Sequence, residues 1–282
     1  MTATRVCFVG LPEAGKTTFL AAFWATCRHA GNHEPTFEIV RFPGPAARRY
    51  LQEIGDAWFE GRKVGRNTSG SWEPVELTLR TPSGQELDLV VPDLSGEAFR
   101  DVAAVRQIEQ RVADLVAAST LLVFFVNAAT ASAHMSLADF APGAEQAQRL
   151  VVEFDAKELE TDILNAELLQ LLPMLTECSE SPPPVAVVVS AWDTVDSLGV
   201  TPAQWLETNQ PMFSQVLDEY ARSAVVTVIG ISAQGGDYDR DHGVTAKPPH
   251  DRPLVVTATA RSTDIGAPFT WFARLPGSTD GG

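Results

Sequence analysis

Only four lysines, at positions 16, 63, 157 and 247, occur among the 282 residues. One of them stands where a lysine does chemistry. Gly10, Leu11, Pro12, Glu13, Ala14, Gly15, Lys16 and Thr17 match the pattern GxxxxGK[ST]. A loop that grips phosphate must curl so that successive backbone N–H groups point inward, and glycine permits that curl. The helix that follows turns its N-terminus to the anion. In such a loop Lys16 reaches the β- and γ-phosphates, the Thr17 hydroxyl ligates Mg²⁺, and Thr18 completes the nucleotide-contacting set. At ordinary glycine frequency and this chain's scarcity of lysine, chance matches number about 0.003 per chain, so the pattern is informative. Further along, Asp93, Leu94, Ser95 and Gly96 form a DxxG turn. A phosphate site of this kind needs a second carboxylate near its magnesium. Asp93 can hold the ion through water, and the Gly96 N–H can meet a γ-phosphate.

These groups must be positioned by the elements around them. Residues 5–9 are a short apolar run ending at Gly10, which predicts a buried strand. Residues 16–30 carry Phe19, Leu20, Phe23 and Trp24 at helical spacing, which predicts a helix. Residues 37–40 suit a strand, and 46–59 suit a helix with Tyr50, Ile54 and Trp58 on one face. Val75, Leu77 and Leu79 alternate with polar residues, residues 81–85 are a tight connection, and 87–91 are apolar, so an antiparallel hairpin is expected. Residues 97–118 read as one helix, and 121–126 as a fully apolar strand covered on both faces. The pattern continues with helix at 145–172, strand at 185–189, a helix at 201–223 opened by Thr201 and Pro202, and strand at 225–231. A polar loop at 235–253 and a short helix at 267–275 follow. Strands alternating with helices predict an α/β open sheet, mostly parallel with one antiparallel edge hairpin and helices on both faces. We read a single domain over 1–282. Its core elements lie at 5–31, 68–128 and 145–234, its terminal helix at 267–275, and its insertions at 32–67, 129–149 and 235–253.

Composition limits the partners. Twenty-one Lys and Arg stand against 36 Asp and Glu, a net charge of −15. This argues against the broad basic face that nucleic acid needs and equally against an anionic membrane surface. No apolar run approaches the roughly 18 residues of a membrane span, and the first ten residues are too short for a secretory signal, so a cytoplasmic protein without membrane insertion is expected. Cys7 and Cys27 lie in apolar stretches and Cys178 in a loop, and all three read as thiols of a reducing compartment. Asp237, Asp239 and Asp241 have the alternation of a calcium loop, but the glycine falls one place late at Gly243 and Pro248 replaces the bidentate Glu, so we read a solvated loop.

The order of strand, phosphate loop, helix, hairpin, DxxG and central strand resembles the TRAFAC-class, Ras-like P-loop GTPases. That resemblance implies a three-layer P-loop NTPase fold binding GTP or GDP with Mg²⁺. Two more family positions can be matched. Ser190, Ala191, Trp192 and Asp193 stand where the family carries [NT]KxD. The aspartate that would receive guanine N1 and N2 is Asp193, while Ala191 replaces the base-flanking lysine and Ser190 the leading Asn or Thr. Ser232, Ala233 and Gln234 stand at the SAK position, where the Ala233 N–H would meet guanine O6. The alternative for these residues is a helix-capping aspartate and an ordinary loop serine. The resemblance also asks for a switch threonine on Mg²⁺ and the γ-phosphate. Thr68 is best placed, with Ser69 and Ser71 as competitors. Glu97 occupies the place of the water-orienting glutamine, which implies weak hydrolysis unless a partner or an arginine assists. Arg66 is one candidate and Arg62 a weaker one, with a solvated surface arginine as the alternative for each.

More narrowly, the chain resembles the bacterial double-GTPase domain family. Four features carry this: the loop from Gly10 to Thr17, the long helical insertion before a Thr-bearing switch, the apolar strand running into Asp93–Glu97, and the stretch Ala267, Pro268, Phe269, Thr270, Trp271, Phe272. The resemblance implies a GTP-hydrolysing switch of a multi-gene signalling or conflict system, with a protein effector or regulator as partner, possibly a second GTPase. A catalytically silent nucleotide-binding module remains an alternative, as does a P-loop ATPase or small-molecule kinase, because a phosphate cradle alone does not define a reaction.

Overall fold

Runs of β-branched and aromatic residues build the sheet, and period-2 alternation sorts their side chains into two cores. The computed structural model describes residues 4–29, 37–64, 74–92, 95–130, 161–175, 182–239 and 241–272. The chain runs β1 (Thr4–Val9), α1 (Lys16–Arg28), β2 (Glu38–Arg41), α2 (Pro45–Phe59), β3 (Val75–Arg80), β4 (Glu86–Val91), α3 (Glu97–Val105) and α4 (Gln110–Ala117). It continues with β5 (Leu121–Asn127), α5 (Thr161–Leu175), β6 (Val185–Ser190), α6 (Pro202–Asn209), α7 (Pro211–Tyr220) and β7 (Val226–Ser232). The last elements are α8 (His242–Ala246), β8 (Leu254–Val256), β9 (Arg261–Ser262) and α9 (Ala267–Phe272).

The described strands form one sheet in the order β2-β3-β4-β1-β5-β6-β7-β8-β9. β4, β1, β5, β6 and β7 are mutually parallel. β3 is antiparallel to β4 and forms the expected hairpin, and β2 extends that edge. The opposite edge carries two antiparallel strands, β8 and β9, that are too short to show a strand period. The predicted central strand β5 occupies the middle of this order.

Along β1, Val6 and Phe8 join the core beneath α1, α2 and α9, whereas Cys7 and Val9 join the core beneath α3 to α7. The layers are therefore helix, sheet, helix. Phe269 of α9 packs among Phe8, Phe19, Phe23 and Phe37, so the end of the described chain closes the first core.

Two expected helices are each broken in two. The stretch 97–118 is interrupted because Arg106 is left-handed (φ 57°), its amide closing on Val102 O at 3.1 Å. Such a C-cap is usually glycine, so the sequence carries no mark of it. The stretch 201–223 breaks at Gln210 (φ −138°, ψ 59°), since the ring of Pro211 disfavours helical geometry in the residue before it. Thr201 opens α6 through a capping box with Gln204. The predicted loop 235–253 contains α8 and a 3₁₀ turn at Pro249–Asp251. Of the expected helix 145–172, residues 145–160 lie outside the described residues, as do Cys178 and the end of the expected terminal helix.

Candidate nucleotide site

The phosphate loop joins β1 to α1 and is fixed from the neighbouring strand ends. Asn127, closing β5, donates to the Glu13 carbonyl at 2.7 Å. Ser190, closing β6, donates to the Ala14 carbonyl at 2.8 Å. In a trans peptide N–H and C=O point in opposite directions, so anchoring the Ala14 carbonyl turns the Gly15 amide away from Ser190. Gly15 is left-handed (φ 94°), and a Cβ there would lie 2.6 Å from Ser190 Oγ. The loop can come this close to β6 only because residue 15 has no side chain.

Lys16 begins α1 and is almost fully buried. Its Nζ donates to the carbonyls of Gly10 at 2.6 Å and Leu11 at 3.0 Å. Burying an ammonium is costly without strong partners, and here it lies across a curl of main-chain amides at a helix N-terminus, where an anion is stabilised. Thr17 follows, half-buried. Beside it is Tyr50 of α2, whose hydroxyl is buried without a hydrogen bond of normal geometry. Burial raises the Tyr50 pKa, with the Thr17 hydroxyl acting in the opposite direction.

The DxxG turn reaches the same loop. Gly96 is left-handed (φ 84°), and a Cβ there would fall within 2.6 Å of the Leu11 and Pro12 backbone. The structure therefore brings together two segments that the sequence separates by some eighty residues. Glu97, the first residue of α3, is paired with Arg100 one turn on, both side chains about half exposed. Arg62 is exposed and pairs with Glu60 at 2.7 Å. Asp93, Thr68 and Arg66, with the competitors Ser69 and Ser71, lie outside the described residues.

At the far end, Asp193 sits in a 3₁₀ turn (Trp192–Thr194) directly after β6. Ser232, ending β7, donates its hydroxyl to Asp193 Oδ1 and accepts from the Gly235 amide at 2.9 Å. Ala233 follows, its carbonyl bonded by Trp58 Nε1 at 2.9 Å. One open cavity of about 300 Å³ connects both ends. It is lined by Glu13, Gly15 and Thr18 on one side and by Asp193, Ser232 and Ala233 on the other.

Several contributors to this geometry were not found in the sequence. Asn127 carries a weak signal, a polar residue ending an all-apolar strand. Trp58 and Lys63 of the insertion have none, because their partners are far away in the chain. Asp237 and Asp239, in the stretch read as a solvated loop, both pair with Lys63, while Asp241 caps α8 through the Gly243 amide at 2.9 Å. Among the described residues no three His, Cys, Asp or Glu side chains form a metal cluster. A magnesium ion shared between a hydroxyl and substrate phosphates does not require one.

Residues 7–272 match the sequence profile of the family described as Double-GTPase 1. The chain belongs to that family. No curated protein matches it. Among solved structures, it is similar to the bacterial selenocysteine-specific elongation factor EF-Sec, with 10% identity and a TM-score of 0.38 over 87% of this chain and 28% of that one. It is also similar to Era of Aquifex aeolicus bound to GDP.AlF4⁻, with 14% identity and a TM-score of 0.34 over 84% of this chain and 53% of that one. A third is the signal recognition particle receptor SRb-GTP/SRX complex of Chaetomium thermophilum, with 14% identity and a TM-score of 0.38 over 83% of this chain and 92% of that one. The chain thus spans 28% of the elongation factor and about half of Era. No helix among the family member's described residues is long and apolar enough to cross a membrane.

Proposed function

We propose that this Double-GTPase 1 member binds GTP and GDP with Mg²⁺ and hydrolyses GTP slowly, as a molecular switch. The observation that carries this reading is a cavity running from Glu13, Gly15 and Thr18, at the phosphate loop and the start of α1, to Asp193 and Ser232. Its two ends suit the two ends of a guanine nucleotide. At one end the loop amides and Lys16 hold the β- and γ-phosphates. At the other, Asp193 accepts from guanine N1 and N2, with its carboxylate oriented by Ser232, and the Ala233 N–H meets O6.

The half-buried Thr17 hydroxyl beside Lys16 fits a magnesium ligand, and Thr68 and Asp93 are the further ligands on this reading. Bound there, the ion neutralises charge on the phosphates. Gly96, already against the loop backbone, directs its N–H to the γ-phosphate, and Thr68 closes with it, so both segments respond to loss of that phosphate. Glu97 positions water. Its pairing with Arg100 offsets part of the charge that would set it against the phosphate, and Arg66 serves as the assisting arginine. The partner is a protein effector or regulator, or a second GTPase, within a bacterial signalling or conflict system in the cytoplasm, and the whole chain acts as one domain.

The test is binding of GTP, GDP and ATP with Mg²⁺, followed by phosphate release over hours. Preference for GTP and GDP with slow release supports the proposal. Binding without release favours the silent module, for which Glu97 at the water-orienting position is the motive. Preference for ATP contradicts the guanine assignment.

A further inference from the structure

The base end of the cavity has a wall that the Ser190–Asp193 segment does not build. Where the resemblance places a base-flanking lysine, this chain has Ala191, a single methyl group on a left-handed residue (φ 52°). The cavity is nonetheless lined by a lysine from a different element. Lys63, four residues beyond the end of α2, lies on its edge together with Ala191, Asp193, Gly236 and Asp237.

This is not a freely moving surface lysine. Its ammonium bridges Asp237 Oδ1 at 3.2 Å and the Asp239 carboxylate. The carboxylates, Asp239 first and then Asp237, raise its pKa above the ordinary lysine value. The backbone leading to it is fixed on the same side of the cavity. Trp58 Nε1 donates to the Ala233 carbonyl at 2.9 Å. The Arg252 guanidinium caps the end of α2, bonding the Trp58 and Phe59 carbonyls at 3.1 Å each. The stretch 58–63 is therefore tied at three points to the segment that follows β7.

We propose that Lys63 forms the pocket wall that Ala191 is too short to form, its methylene stem covering one face of the bound purine while Asp237 and Asp239 fix its ammonium at the rim. A lysine stem packs on apolar surface with its charged head in solvent, and the face of a purine ring is such a surface. Lys63 is thus a positioning residue for the base, supplied by the insertion. The inference rests on the nucleotide reading above.

The experiment measures equilibrium binding and dissociation of ribose-labelled GDP and GTP with Mg²⁺, using the full chain and its Lys63→Ala and Lys63→Arg variants. Lys63→Ala is expected to weaken GDP and GTP alike by about tenfold, mostly through faster dissociation. Lys63→Arg, which keeps a long stem and a charge for both carboxylates, is expected to stay within about threefold of the parent. Without nucleotide all three should melt together, since the Lys63 side chain is 55% exposed. Unchanged binding by Lys63→Ala overturns the proposal. So does a loss confined to GTP, which would put Lys63 at the phosphates, or a loss that follows a fall in the nucleotide-free melting temperature. If the parent chain binds no nucleotide, the functional reading itself fails. If the parent binds and Lys63→Ala binds equally, only this inference fails.

Discussion

At the residue scale, burial in an apolar strand pushes the Cys7 thiol up to about 12 from 9.0. A raised folded-state pKa means stability that is intact below the unfolded value near 9 and declines as pH rises toward the folded one. Between pH 8 and 10 one such thiol should cost about 1.4 kcal/mol. Cys27, also pushed up to about 12, adds a similar amount. Urea melts at the two pH values should therefore show a decline that Cys7→Ala reduces by about 1.4 kcal/mol. An equal decline in both proteins would contradict the assignment. The place of Cys7 in an apolar strand is visible in the sequence, and so is the Gly10–Thr17 loop, because phosphate binding demands fixed residue types within eight positions. Asn127 and Ser190 hold the loop's carbonyls from 114 and 176 positions away, and no local pattern encodes such a distance.

At the element scale, helix existence was legible and helix continuity was not. Hydrophobic periodicity runs through both breaks, at Arg106 and at Gln210, because a short interruption barely alters which face is apolar. Pro211 was a visible mark for the second break, and its consequence appears in the packing. The first turn of α7 has no cap from its own segment. Asp162 of α5, almost fully buried, accepts from the Met212 amide at 2.9 Å and the Phe213 amide at 2.8 Å. Asp162→Ala leaves those donors without the carboxylate and should cost about 1–3 kcal/mol of unfolding free energy. A urea titration showing less than about 0.5 kcal/mol would mean that α7 does not depend on this cap. The insertion helix α2 makes a second element-scale claim. Trp58→Phe keeps the buried ring but removes the bond to Ala233. Stability should fall by about 1 kcal/mol, and GDP should leave faster because the Ser232–Ala233 loop has lost a tether. Unchanged GDP release would separate α2 from the base pocket.

At the scale of the whole molecule, the alternation of strands and helices sufficed for the α/β class and for the parallel centre, because parallel strands covered on both faces read as near-continuous apolar runs. The edges were harder. β8 and β9 span three and two residues, too few for any periodicity to show. Their place beside β7 is set by pairing with a strand already formed, not by their own composition. The cavity emerges at this same scale, since its lining comes from the loop between β1 and α1, from the start of α1, from the ends of β5, β6 and β7 and from the insertion. A nucleotide spanning it links parts of the chain that unfolding would separate, so saturating MgGDP should raise the melting temperature, by the equivalent of about 2.7 kcal/mol at a hundredfold excess over Kd.

Isothermal calorimetry of MgGTP and MgGDP against the full chain and Lys16→Ala tests the central claim most directly. The account predicts saturable heat for both nucleotides with the parent chain and none with the folded variant. No heat from the parent, or the same heat from Lys16→Ala, would contradict it.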